Sequence, residues 1–260
     1  MSLSLALLLQ TVAVDPSVAD TPVPSADARF EACALLASQD PEKAIDQANQ
    51  WRIAGGGVSA RHCLALAYAR QERWAPAAVA FEQAARDSEM AKDGRAANLW
   101  VQSGNARLAA GEYQPARAAF DTALASGALK GEMAGEAHLD RARAAVGMGD
   151  LAAARADLDQ ALKLVPADPL AWLLSATLAR RMSDVERAQA DIAEAAKRSP
   201  DDASVALEAG NIAILAGSPE AARIAWQAAV ANQPESAAGK AAAAALKALD
   251  APEAKPQPRP

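Results

Sequence analysis

Alanine recurs along this chain at a fixed interval: Ala154, Ala188 and Ala222 stand 34 positions apart. Two further sets keep the same spacing, first Ala161, Ala195 and Ala229, then Pro166, Pro200 and Pro234. In an alanine-rich chain the alanines alone agree easily by chance; the prolines do not. Registers locked to one such period are the signature of stacked helical hairpins, in which each unit buries its apolar face only against its neighbours. The period therefore constrains architecture strongly, and it points to a protein that binds rather than one that catalyses.

The composition supports an all-α reading. The chain has 260 residues, 52% hydrophobic but only 4% aromatic, and much of the apolar content is alanine. Alanine is the best helix former, and its small side chain lets helices approach closely. Val and Ile rarely alternate with polar residues, so no strand pattern emerges. An array grows by repetition and needs no single large core. The formal net charge is −6, with both signs interspersed, whereas a nucleic-acid partner needs a basic face. No apolar run reaches the roughly 18 residues of a membrane-spanning helix.

Short polar residues, Pro and Gly punctuate the chain at half-repeat spacing. Asp40-Pro41, Asp168-Pro169 and Ser218-Pro219 each set a capping side chain before a proline, whose preset φ suits the first helical position. Ser183-Asp184-Val185-Glu186 fits a capping box. Gly111, Gly149 and Gly217 fall where a first helix ends and a left-handed residue is wanted.

These residues resemble the tetratricopeptide repeat family across roughly Ser25 to Asp250. Ala97 to Ala128 matches the family unit through Trp100, Gly104, Gly111, Tyr113, Ala116, Phe120 and Ala123. Gly135 to Pro166 matches through Ala142, Gly149, Ala154, Leu158, Ala161 and Pro166, with His138 where an aromatic is usual. Pro169 to Pro200 carries Trp172, Ala176, Ala188, Ile192, Ala195 and Pro200. Ala203 to Pro234 carries Gly210, Gly217, Ala222, Trp226, Ala229 and Pro234. The segment from Val58 fits through Tyr68, Trp74, Ala77, Phe81 and Ala84 without a closing proline, and Ser25 to Trp51 is a degenerate first unit. The resemblance implies an α-solenoid of antiparallel helix pairs in a right-handed superhelix, five to six repeats long. A capping helix follows from about Ser236 to Leu249. Trp100, Trp172 and Trp226 are expected to fill the gaps between units. Extra residues near Met90 to Arg95 and Ser126 to Glu132 lengthen two joints, where the array is expected to bend or flex.

The ends read differently. Leu3 to Leu9 is a short apolar block followed by small-residue cleavage options at Thr11-Val12-Ala13 and Ser17-Val18-Ala19, then a Pro/Asp/Ser/Ala-rich stretch. Residues 1–24 thus resemble a secretory signal peptide and linker, without the usual basic start, since the first Lys or Arg is Arg29. The other reading is an uncleaved amino-terminal tail, which leaves the protein cytoplasmic. Residues 251–260 are Pro-rich with mixed charge and read as a disordered tail.

Nothing in the sequence marks catalysis. The two histidines, His62 and His138, lie in different units, and no His/Cys/Asp/Glu cluster has metal-ligand spacing. Gly55-Gly56-Gly57 lacks the Lys-Ser/Thr of a phosphate-binding loop and reads as a connector. The acidic residues stand at helical surface spacing and read as solvated faces. No catalytic residue, metal or cofactor is therefore assigned. Cys33 and Cys63 are the only cysteines and fall in the first helices of adjacent units, which are neighbours in this architecture. In an oxidising compartment they would close a loop of about 30 residues, worth roughly 3–4 kcal/mol. Otherwise they are two small buried hydrophobes.

By the family resemblance, partner segments lie on the inner, concave face lined by first helices. That register implies an apolar stripe of Val101, Leu139, Leu173 and Leu207, flanked by Asn98, Asn105, Arg143, Arg180, Arg181 and Asn211. Apolar residues replace one lysine of the carboxylate clamp found in some family members. An extended or helical segment with apolar anchors is expected instead, its acidic groups meeting Arg143, Arg180 and Arg181. The expected function is non-enzymatic: an exported adaptor for a protein or peptide partner. The alternatives are an assembly component of a cell-envelope complex and, more remotely, a regulatory subunit of an enzyme.

Overall fold

A computed structural model describes residues 25–250. The segments read above as signal and linker, 1–24, and as a Pro-rich tail, 251–260, lie outside the described residues. Six helix pairs follow one another. They are α1 (Ala26–Gln39) with α2 (Pro41–Ile53), α3 (Gly57–Arg70) with α4 (Trp74–Ala91), and α5 (Ala96–Ala109) with α6 (Tyr113–Ala125). Next come α7 (Gly131–Gly147) with α8 (Leu151–Leu164), α9 (Pro169–Arg181) with α10 (Val185–Arg198), and α11 (Ala203–Leu215) with α12 (Pro219–Asn232). A thirteenth helix, α13 (Ala237–Leu249), closes the array, and no strand occurs among the described residues. The chain is thus an all-α solenoid, as its period requires.

Local chemistry sets the helix ends. The Asp40 and Asp168 carboxylates accept from the Lys43 and Leu170 amides ahead of Pro41 and Pro169. Ser218 makes no such bond, and Pro219 alone opens α12. The capping-box reading needs correction: Asp184, not Ser183, caps α10 by accepting from the Arg187 amide. Ser183 instead occupies the left-handed turn position with φ 61°, where Gly149 and Gly217 have φ 78° and 74°. One repeat position therefore demands a positive φ in the turn within each pair from α3–α4 to α11–α12. Glycine supplies it in three turns, and Glu72 and Ser183 supply it at some strain.

The core is built on close approach. The alanines at the repeat positions, among them Ala154, Ala188, Ala222, Ala161, Ala195 and Ala229, are wholly buried. Across the helix pairs from α5 to α12, a small residue on the first helix faces a large one on the second, sixteen residues on. Gly104 meets the Phe120 ring and Gly210 meets the Trp226 indole; a Cβ at 104 would stand 2.6 Å from Phe120 Cε1. Where the partner is aliphatic, alanine suffices: Ala142 shares a core cluster with Leu158, and Ala176 with Ile192.

The tryptophans do not act alike. Trp226 is buried, 6% exposed, and donates its indole N–H to the Leu207 carbonyl. Trp172 is only half-buried. Its indole donates to the Pro166 carbonyl at 2.9 Å and the Arg198 guanidinium lies over its ring. Trp100 is also half-buried and donates to Glu89 at 2.7 Å. Their indole N–H groups need polar partners, and those partners sit at the unit edges. Trp172 and Trp100 therefore border the joints rather than fill them.

Neither lengthened joint is loosely attached. In the first, Asp93 accepts from Ser88 and Arg95, and Arg95 reaches back to the Ser59 hydroxyl at 3.0 Å. In the second, Leu129 is buried between α5, α6 and α7. The first helices α5 and α7, α9 and α11, and α11 and α13 pack on one another, whereas successive second helices barely touch. An array that packs more closely on one layer curves toward it. The first helices therefore line the inner face.

Candidate functional site

None of the four apolar positions of the inner stripe is an open groove wall: one lies in a core and three fill joints. Leu139 is 5% exposed and belongs to the α7–α8 core with Ala142 and Leu158, so it is not an open wall of a groove. Val101 is half-buried against Ala134 and Ala137 of the next first helix, Leu173 against Val205, and Leu207 against Ala238 and Ala242. Each leans into the joint with the following unit, because neighbouring first helices converge there.

The polar flank divides into engaged and open residues. Arg180 donates from Nε to Glu208 Oε1 at 2.6 Å, and Asn211 donates to the other Glu208 oxygen at 3.1 Å. Glu208 is itself buried, so these two side chains neutralise and hold an internal carboxylate rather than facing a partner. Asn98 and Asn105 are exposed on α5. Arg143 pairs with Asp140 at 2.9 Å but remains 54% exposed. Arg181 is exposed and has no ion pair among the described residues.

The acidic residues also need correction. Asp157 and Asp191 are buried, not solvated. Asp157 accepts from His138 Nδ1 at 2.9 Å and from Arg141 Nε at 2.9 Å. Burial pushes its carboxyl up, but the bonds from His138 and Arg141 outweigh this and hold it below the usual carboxylate range. Asp191 accepts from Ser175 and Arg187, and Arg155 donates to the same Ser175 hydroxyl at 2.8 Å. These networks tie each second helix to a first helix. Among the described residues His138 hydrogen-bonds only to Asp157, and no group of three or more His, Cys, Asp or Glu there can hold a metal ion.

A concavity opens between two first helices. Unlike α9 and α11, α7 and α9 barely touch, and the gap between them exposes a notch of about 130 Å³. Leu158 of α8 and Leu178 form its floor, Val146 and Leu174 its apolar walls, and Arg143 and Arg181 its two rims, one from each helix. Thr177 lies on the α9 side. The sequence reading found both arginines but missed the apolar side chains between them. Val146 stands two turns beyond Leu139 on the same face of α7, but Leu174 turns toward α7 and α8 while its neighbour Leu173 turns toward α11, and only the α7–α9 separation leaves Val146 and Leu174 open.

Cys33 and Cys63 are joined in the structure, with Cα atoms 6.0 Å apart, linking α1 to α3. No helix among the described residues is long and apolar enough to cross a membrane.

Comparison with known proteins agrees with this architecture. A family model for the tetratricopeptide repeat matches residues 101–169, 139–180 and 173–237. No curated protein matches the chain. PilW, a type IV pilus biogenesis factor, shares 20% identity and a TM-score of 0.67, over 82% of this chain and 97% of that one. PilF of Pseudomonas aeruginosa shares 16% identity and a TM-score of 0.65, over 85% and 99%. YrrB, a repeat protein described as having an unusual peptide-binding site, shares 19% identity and a TM-score of 0.56, over 80% and 98%. At such identities the likeness is one of fold alone. The repeat match spans more than half of the sequence, and the helix pairs extend it to the whole described region: this chain belongs to the tetratricopeptide repeat family.

Proposed function

We propose that this chain is an adaptor that holds a segment of a partner protein on its inner face, anchored in the notch between α7 and α9. A protein-interaction role is what repeats of this family support in general. The observation behind the specific reading is the notch itself: apolar walls over a Leu158–Leu178 floor, open on the concave side and rimmed by two guanidinium groups. An apolar cavity of roughly 150 Å³ takes a benzene-sized guest, so the notch suits one aliphatic or small aromatic side chain. The guest gains the burial of its apolar surface, while rim polar groups fix its orientation.

The adaptor works in an oxidising compartment, periplasmic or secreted. Two features support this: the pairing of Cys33 with Cys63, since such bonds persist where thiols are not kept reduced, and the signal-like residues 1–24. Intact mass of the protein from its source, before and after reduction, tests it. A mass lacking the amino-terminal segment and free thiols only after reduction agree with export; full length with two free thiols refutes it.

The binding reading is tested by selecting a random peptide library, displayed on phage, against the immobilised full chain. Thr177→Trp places an indole over the notch from α9 and is expected to abolish enrichment without changing helicity. Enrichment that survives Thr177→Trp and a second blocking variant, Val146→Trp, rejects the notch as the anchor.

A further inference from the structure

We infer that the segment seated in the notch is acidic, with side-chain carboxylates on both sides of its apolar anchor. The inference rests on the notch being the partner site, and it adds what the partner must look like. The chain as a whole is acidic, with a formal net charge of −6, yet this concavity is rimmed by two arginines on opposite helices. Most other arginines of the inner layer are committed. Arg180 holds buried Glu208, Arg141 holds buried Asp157, and Arg107 bridges Glu82 and Glu112. The notch is lined by two arginines and no carboxylate: Arg143 pairs with Asp140 at its edge, and Arg181 has no ion pair among the described residues. The local charge is therefore positive, and it borders an apolar wall rather than open solvent alone.

That arrangement discriminates between guests. An apolar side chain in the notch brings its flanking residues over Arg143 on one side and Arg181 on the other. Carboxylates there accept charge-assisted hydrogen bonds, with the guanidinium fork offering two parallel donors. Lysine or arginine at the same places meets like charge across a partly desolvated gap, which is how an interface rejects a wrong partner. The carboxylates are side-chain groups of an internal segment.

The same displayed library tests this, because its peptides sit inside a coat protein and carry no free carboxyl terminus. Two variants are compared with the wild-type chain, Thr177→Trp and the charge-reversed Arg143→Glu/Arg181→Glu, all matched for helicity and urea midpoint. The expected result is an apolar residue with Asp or Glu favoured over Lys or Arg beside it by about tenfold, the scale of one charge-assisted bond. The bias reverses in the double charge variant, and binding weakens as salt rises. An apolar motif that Thr177→Trp abolishes but that shows no acidic bias, or a bias unmoved by the double variant, overturns this inference and leaves the notch as the anchor. Enrichment indifferent to Thr177→Trp, or no enrichment at all, overturns the adaptor reading on which it rests.

Discussion

Replacing Gly104 with alanine tests the packing rule that sets the helix spacing in the pairs from α5 to α12. A Cβ at position 104 would lie 2.6 Å from Cε1 and 2.7 Å from Cζ of Phe120. Phe120 is wholly buried, 0% exposed, so its ring has nowhere to swing. Overpacking costs roughly 1–3 kcal/mol, and contacts this short against a buried ring fall in the upper part of that range, about 2–3 kcal/mol. The helix-propensity gain of alanine over glycine returns about 1 kcal/mol. Gly104→Ala is therefore expected to destabilise by about 1–2 kcal/mol, despite being a helix-favouring change. Phe120→Leu alone trims the ring and costs about 1–2 kcal/mol through lost burial and a residual cavity. Combining them recreates the small-to-aliphatic pairing that Ala142–Leu158 and Ala176–Ile192 already show. The double variant should thus lose little more than Phe120→Leu does, a favourable coupling of about 1–2 kcal/mol in a double-mutant cycle. Urea unfolding followed by circular dichroism at 222 nm, the helical signal, reads each corner. If Gly104→Ala leaves the midpoint unchanged, or costs as much in the Phe120→Leu background as in the wild-type chain, the ring contact does not set the helix spacing.

Four further outcomes follow from the same structure. Trp226→Ala, in a buried site, should cost about 3–5 kcal/mol, whereas half-buried Trp172→Ala should cost about 1–2 kcal/mol in the same urea titration; equal costs would contradict the different placements. Ser183→Gly should stabilise by about 0.5–1 kcal/mol, because Ser183 alone among the turns from α5 onward holds φ 61° without being glycine, and a lowered midpoint would refute that. Asp157 has its carboxyl held below the usual range, so its contribution is present above the ordinary carboxylate pKa of about 3.9 and is lost as pH falls through the lower folded value. Asp157→Asn should flatten the acid limb of the stability–pH curve, and an unchanged limb would rule the ion network out as its source. Cys33→Ser/Cys63→Ser should cost about 3–4 kcal/mol against the oxidised protein and little against the reduced one.

The architecture was legible because the same features that specify a repeat also specify its packing. The spaced alanines are the helix crossings, and Gly149, Ser183 and Gly217 share one left-handed turn position. The buried acids were misread for want of the same test. Asp157 and Asp191 also stand 34 residues apart, and a carboxylate repeated with the core alanines belongs to the core, where arginine and hydroxyl donors must meet it. Trp172 was misjudged because aromatic identity marks a helix position but not which way an indole N–H must turn for a partner. The notch was legible only in its arginines. Its depth depends on how far α7 stands from α9, which side-chain periodicity does not encode.

Methyl NMR of the full chain, titrated with the highest-ranked selected peptide, tests the central claim most directly. The account predicts cross-peaks between the peptide's apolar side chain and the methyls of Val146, Leu158, Leu174 and Leu178. Perturbation confined to outward residues of the second helices, such as Ile224, would place the partner on the other face and contradict it.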